Sequence, residues 1–256
     1  KIGEQKKVQQ FPIHIKLDTG MHRLGFEANA IPELIATLKD NPRVVVKSIL
    51  SHMATSDDLA HHDFALEQIE KFNRISTHIS AALEISPIRH ILNTSGIFNY
   101  PQAQFDMVRL GIGLYGISND ANEQKFLENV GTLKSVISQI RTIQAGESVG
   151  YGRRFMAEKE TRIATIPIGY ADGIRRSWGN GLGFVIINNQ KATIVGSVCM
   201  DMLMVDITDI PCVEGNEVII LGENPSVTFM ANQLNTIPYE ILTGISQRVK
   251  RIFYRE

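Results

Sequence analysis

The strongest constraint on this chain is a change of rhythm near residue 125. Before it, short strand-like runs alternate with longer helix-like ones; after it, strands follow one another closely. Ile13–Leu17 predicts a strand, and Ala28–Lys39 a helix with Pro32 near its start, where proline is tolerated. Val44–Leu50 is a β-branched run that ends at Ser51 and His52. Across Asp63–Ile85, Phe64, Ile69, Phe72, Ile75, Ile79 and Leu83 recur at helical spacing. Ile91–Leu92 and Phe105–Ile112 predict two further strands. Strands separated by helices predict βαβ units and a parallel sheet. Four such units make a small open sheet, or half of an eight-unit α/β barrel that takes about 250 residues in full.

The second section, residues 126–256 against 1–125, predicts a mostly antiparallel β domain. Its strands are Ser135–Thr142, Thr161–Ile168, Phe184–Ile187, Ala192–Val195, Met202–Ile207, Glu217–Leu221 and Ile245–Ile252, with short helices near Val227–Leu234 and Pro238–Leu242. Turn signals such as Asn188-Asn189 and Glu223-Asn224-Pro225 separate some of them.

Composition excludes several kinds of function. With 26 Lys and Arg against 27 Asp and Glu there is no basic surplus for nucleic-acid binding. No run of about 18 apolar residues exists, so no membrane span is expected. Cys199 and Cys212 are too few for a disulfide framework, which suggests a reducing, cytoplasmic setting. The opening KIGEQKKVQQ lacks the apolar centre of a signal peptide and starts without Met, as a fragment or processed chain would.

Chemistry-bearing residues gather at the ends of the predicted strands. In HIKLDTGMHRLGF, His14, Lys16 and Asp18 share one strand face, and a buried Lys or Asp is costly unless paired. The stretch from Asp18 to Arg23 is either an ion-paired strand end or a holder for an anionic ligand. His52 is either structural or catalytic. Asn93-Thr94-Ser95-Gly96 reads as a helix cap, and alternatively as a phosphate cradle of backbone amides. Arg109 lies between Val108 and Leu110, and a buried Arg demands partners; Gly111 and Gly113 let backbone approach a ligand. Later clusters hold Tyr151 between two glycines, Tyr170 in IGYADGIRR, Cys199, Met200 and Asp201 in SVCMDMLMVD, and Tyr239 in NTIPYEILTGIS. No cluster has metal-ligand spacing such as HxxxH or CxxC, and no metal is expected. No P-loop, GxSxG elbow or GxGxxG occurs.

Taken in order, KLDTGMHRLGF, SHMATSDD, NTSGI, VRLGIGLYG, GYGRRF, IGYADG, VCMDM and NTIPYE, ending in ISQRVKRIF, resemble the alanine racemase family. The resemblance implies an isomerase dependent on pyridoxal 5'-phosphate, with an eight-stranded α/β (TIM-type) barrel and a C-terminal β domain. It implies a head-to-tail homodimer in which each β domain completes the partner's site. The implied reaction is racemisation of L-alanine to D-alanine for peptidoglycan, through a cofactor aldimine and two bases.

By motif, Arg109 resembles the arginine that donates to the cofactor's pyridine nitrogen, and Arg23 the one near its phenolic oxygen and the substrate carboxylate. Lys16 resembles an often carbamylated lysine that fixes Arg23. Thr94, Gly111, Ile112 and Tyr239 resemble phosphate contacts. Tyr151 resembles the catalytic tyrosine, with His52 between it and Arg109 favouring its phenolate. Met200 resembles a backbone contact to the substrate carboxylate, and Tyr170, Cys199 and Asp201 line the approach.

The family's cofactor lysine sits in a KANAYGHG-like motif, and no such motif occurs here. The chain is therefore expected to be the C-terminal half of the barrel plus the β domain, without the N-terminal cofactor-lysine segment and inactive by itself. A non-catalytic association or scaffold fragment, and a racemase of other amino acids, are the alternatives; an amino-acid decarboxylase fits the GYADG and CMD clusters less well.

Overall fold

The computed structural model describes residues 10–118 and 120–254. Residues 1–9, which hold nearly all of the stretch tested for a signal peptide, lie outside them. The chain divides into two compact units, one reaching to Leu114 with Asp120–Phe126, the other from Leu127 onward with residues 115–118.

In the first unit, β1 (Phe11–Lys16), β2 (Val44–Leu50) and β3 (Ile88–His90) form a parallel sheet in that order. Between β1 and β2 runs α1 (Ile31–Lys39), and between β2 and β3 runs α2 (His62–Leu83). Helix α2 buries Ala65, Gln68, Phe72, Ile75, Ser76 and Ile79 and ends on Glu84 in the left-handed conformation. Of the stripe its spacing predicts, Phe72, Ile75 and Ile79 are buried, Ile69 and Leu83 are partly covered, and Phe64 is exposed. Ile15, Leu17, Ile49, Phe72, Ile79 and Leu92 lie in one apolar core. Two short helices follow, α3 (Thr94–Asn99) and α4 (Ala121–Gln124).

The parallel arrangement follows the βαβ pattern, but the strands number three among the described residues. Phe105–Ile112 is not a strand. Asp106 N donates to Arg89 O and Arg109 N to Leu92 O, a step of three residues on each side that no β ladder has. Ile91–Leu92 lies just past the end of β3, which ends at His90.

The second unit holds β4 (Leu133–Val136), β5 (Gln139–Ile143), the small pair β6 (Ser148–Val149) and β7 (Phe155–Met156), then β8 (Thr161–Ile166), β9 (Phe184–Ile187), β10 (Gln190–Val195), β11 (Leu203–Asp206) and β12 (Glu217–Leu221). Every pairing in it is antiparallel. The main sheet runs β4-β12-β9-β10-β11-β8-β5.

Ser135–Thr142, expected as one strand, is therefore two, and they sit at opposite ends of the strand order. Only Ile137 and Ser138 separate them, and two residues span about 7 Å. The sheet must curl until its two edges nearly meet, with Ile137 buried in the bend. Helices α5 (Val227–Gln233) and α6 (Pro238–Gly244) follow. Ile245–Ile252 is not a strand. Arg251 draws the carbonyls of Ile245, Ser246 and Val249 around its guanidinium, so they are unavailable to a ladder. No helix among the described residues is long and apolar enough to cross a membrane.

Candidate active site

In the first unit the site lies just past the ends of the parallel strands. The segment after β1 loops back on itself: Phe26 N donates to Lys16 O at 2.8 Å and Asp18 N to Phe26 O at 2.9 Å. Gly25 permits that closure. Its φ is +128°, and a Cβ there would stand 2.7 Å from Asp18 N. Asp18 is buried and accepts from Gly20 N and His22 N, so its carboxylate closes the turn rather than facing a ligand. Burial pushes its pKa up, but these bonds and His22 outweigh it and hold it below the ordinary value. Folding also brings oxygen or nitrogen atoms of Asp18, His22 and Glu27 within 4.8 Å of one another. The sequence spacing did not suggest this cluster, and such clusters are common without an ion.

Arg109 organises the rest. Through Nη2 it donates to Ser51 O at 2.6 Å and Ile91 O at 3.1 Å; through Nη1 it donates to His90 O at 3.3 Å and to His90 Nδ1. His52 Nδ1 lies 3.4 Å from Nη2. All of these partners are neutral acceptors, so the cation keeps its full charge. Its Nε–H has no hydrogen-bond partner among the described residues. Burial pulls the arginine's pKa down, yet a guanidinium remains protonated at any working pH.

His52 is pushed below the ordinary imidazole range, first by burial, then by Arg109, Arg23 and Lys16. The structure thus gathers three cations around one neutral ring. Among the described residues neither Lys16 nor Arg23 has an ion-pair partner.

Gln68 and His90, which sequence reasoning missed, hold this arrangement. Gln68, wholly buried, accepts from Ala54 N and donates to Thr19 Oγ1 and His52 O, tying the loops after β1 and β2 together. A glutamine inside the apolar stripe of α2 was the available signal. His90 pairs with Arg109 through space, and no local pattern announces that.

Thr94 begins α3, which Asn93 caps by accepting from Gly96 N at 3.1 Å. The Thr94 hydroxyl accepts from Gly111 N at 3.0 Å and from Gly113 N at 3.3 Å, leaving its own O–H to donate. Ile112 follows in the same glycine-rich turn.

In the second unit Tyr151 is 72% exposed on a turn flanked by Gly150 and Gly152, both with positive φ. It lines a cavity of about 530 Å³ with Arg141, Thr165, Cys199 and Met204. Burial pushes the Cys199 thiol up and Arg176 pulls it down, with a raised pKa as the result, so it is not a ready thiolate.

Tyr170 opens a tight turn whose amides reach the Cys199–Met202 loop: Tyr170 N donates to Cys199 O and Ala171 N to Met200 O, each at 3.0 Å. Met200 is 54% exposed there, with Asp201 beside it. Tyr239 stands half exposed in the first turn of α6.

The donor set of the first unit suits an anionic ligand. Its parts are a guanidinium edge free to donate, uncompensated cations, and a hydroxyl with backbone amides beside it.

The comparisons with known proteins agree. The chain is 36% identical over 261 residues to the alanine racemase of Citrifermentans bemidjiense, covering 98% of itself and 69% of that protein. The chain belongs to the alanine racemase family. Family sequence models described as the alanine racemase N-terminal and C-terminal domains match residues 2–119 and 130–253.

The N-terminal match corrects the expectation that this domain's segment is absent, and it lends no support to a missing cofactor lysine. The expectation leaned on one short motif, whereas the match runs over residues 2–119. Alanine racemase 1 of Clostridium acetobutylicum is 39% identical over 253 residues, and the chain spans 65% of its length.

Among solved structures, alanine racemase from the D-cycloserine producer Streptomyces lavendulae superposes with a TM-score of 0.91 at 30% identity, covering all of this chain and 69% of that one. The Bartonella henselae alanine racemase, a structure with covalently bound pyridoxal phosphate, gives 0.84 at 36%, covering 98% and 68%.

Proposed function

We propose that this chain serves an alanine racemase that interconverts L- and D-alanine with pyridoxal phosphate, supplying D-alanine for peptidoglycan. One observation carries the reading. Arg109 has both Nη groups committed to neutral protein acceptors and its Nε–H left to donate. A guanidinium gives up no proton, so an aromatic nitrogen accepting from it stays unprotonated. That suits a pyridine ring asked for modest rather than strong electron withdrawal.

Bound there, pyridoxal phosphate draws electron density from the substrate's α-carbon and makes its proton removable. The chain's own groups do the rest. The Thr94 hydroxyl proton, the Ile112 amide and Tyr239 hold the phosphate, with Gly111 beside it shaping the turn, its own amide spent on Thr94 Oγ1. Arg23, steadied by Lys16 once carbamylation gives that lysine a negative charge, would face the cofactor's phenolic oxygen and the substrate carboxylate. The Met200 amide meets that carboxylate as well.

Tyr151 of a neighbouring copy holds or releases the proton on one face of the α-carbon, with His52 between it and Arg109 favouring its phenolate. Tyr170, Cys199 and Asp201 line the approach. The working unit is a homodimer in which each β domain completes the other copy's site.

The test is conversion of L-alanine to D-alanine by the intact protein, with serine run in parallel. We expect Tyr151→Phe to slow racemisation by about 100-fold or more while the cofactor's visible absorbance persists. Full activity in Tyr151→Phe removes the tyrosine from the mechanism. No racemisation by the wild-type holoenzyme removes the reading itself.

A further inference from the structure

We propose that Arg248 is a positioning residue that holds Tyr170 and Met200 in one fixed relation, acting through Asp172 and Asp201. The assignment rests on the racemase reading and extends it to a residue outside the site described above.

Three stretches distant in sequence meet here. The turn at 169–173 lies against the loop at 199–202: Tyr170 N and Ala171 N donate to Cys199 O and Met200 O. A Cβ on Gly169 would stand 2.3 Å from Cys199 O, so the two backbones touch with no side chain between them. The third stretch follows α6, where Ser246 N donates to Asp172 O at 2.9 Å.

Arg248 locks all three. Its Nε donates to Asp172 Oδ1 at 2.7 Å and its Nη2 to Asp201 Oδ1 at 2.6 Å. Asp172 Oδ2 also accepts from Gly169 N at 2.8 Å. One guanidinium thereby ties a carboxylate on the Tyr170 turn to a carboxylate adjoining Met200.

Exposure tells what the fork is for. The side chains of Arg248, Asp172 and Asp201 are 47%, 13% and 52% exposed. The Arg248–Asp201 pair, open to water, adds little to global stability, while the Arg248–Asp172 pair is covered on its carboxylate side. A planar fork with two fixed donors still sets geometry, and a lysine cannot reproduce it. Met200 and Tyr170 each make a backbone hydrogen bond within this knot, so its shape decides where they stand.

The experiment compares Arg248→Gln, Arg248→Lys and Asp201→Asn with wild type in the intact holoenzyme. Two quantities are read: hydrogen exchange at the Tyr170 and Ala171 amides, and KM against kcat for alanine. In Arg248→Gln we expect exchange at both amides to quicken roughly tenfold and KM to rise roughly tenfold, with kcat within about threefold of wild type. Arg248→Lys and Asp201→Asn should fall between. If Arg248→Gln does not fold, Arg248→Lys carries the same measurement.

Unchanged exchange overturns the clamp. Faster exchange with unchanged KM in an active enzyme overturns its positioning role. Should wild type itself fail to racemise alanine, the functional reading falls, and amide exchange alone still decides whether the clamp exists.

Discussion

Arg109 donates to His90 through Nη1, and His90 presents its other ring nitrogen, Nε2, to Ser48 Oγ at 3.3 Å. A guanidinium has no lone pair to offer, so Nδ1 of His90 must be the acceptor and its single proton must sit on Nε2. That proton points to Ser48, whose Oγ lies 2.7 Å from His14 Nδ1. One cation at the centre of the site therefore sets the tautomer of a histidine on β3 and polarises a chain across all three parallel strands.

The first prediction concerns pH. His90 is only 4% exposed. Burial first, then the charges of Arg109 and His14, push its pKa down to about 4. The unfolded chain takes up this proton near 6.5 and the folded chain does not, so the unfolded state binds more protons between those values. Stability is then full above pH 6.5 and declines as pH falls toward 4. Ring-nitrogen NMR should find His90 neutral with its proton on Nε2 at pH 6. A charged ring at that pH refutes the tautomer assignment.

A second prediction separates shape from hydrogen bonding at Thr94. Thr94→Val keeps the volume and removes the oxygen that accepts from Gly111 N and Gly113 N. It should destabilise the protein by about 1–2 kcal/mol in urea unfolding and weaken pyridoxal phosphate binding about tenfold or more, read by absorbance titration. Thr94→Ser keeps the oxygen and should bind within about twofold of wild type. Equal affinity in Thr94→Val and wild type argues against a phosphate contact.

The loop that carries Arg23 closes through Gly25. Gly25→Ala meets both an unfavourable φ of +128° and backbone atoms 2.7 Å from the new Cβ. A loss of about 1–3 kcal/mol in denaturant unfolding is expected. A neutral substitution would show that the loop opens at little cost.

The curl of the seven-stranded sheet depends on the bend at Ile137, whose side chain is 1% exposed. Ile137→Ala should cost about 2–4 kcal/mol, since a buried aliphatic is removed from a site with little freedom to collapse. Calorimetry on the purified protein reads this. A shift worth less than about 1 kcal/mol would mean the two edges are held together elsewhere.

Much of this architecture was legible from local pattern. Val44–Leu50 and Glu217–Leu221 are strands with the same bounds in sequence and structure, because β-branched runs between turn residues have few other uses. The α2 stripe reads directly as a helix. Periodicity failed where side chains, rather than neighbouring strands, took the backbone carbonyls. Arg251 claims those of Ile245, Ser246 and Val249, and the stretch from Phe105 to Ile112 spends its amides on isolated contacts.

Residue type and order by themselves determined the parallel-then-antiparallel division, and the ordered motifs carried the resemblance to the family and marked the candidate chemistry-bearing side chains. Both are read along one dimension. Tertiary structure decided which of those side chains touch. His90 reaches Arg109 across 19 residues, Gln68 reaches Thr19 across 49, and Arg248 reaches Asp172 across 76. Such contacts form only after burial of the apolar core has paired the strands, so no local propensity encodes them.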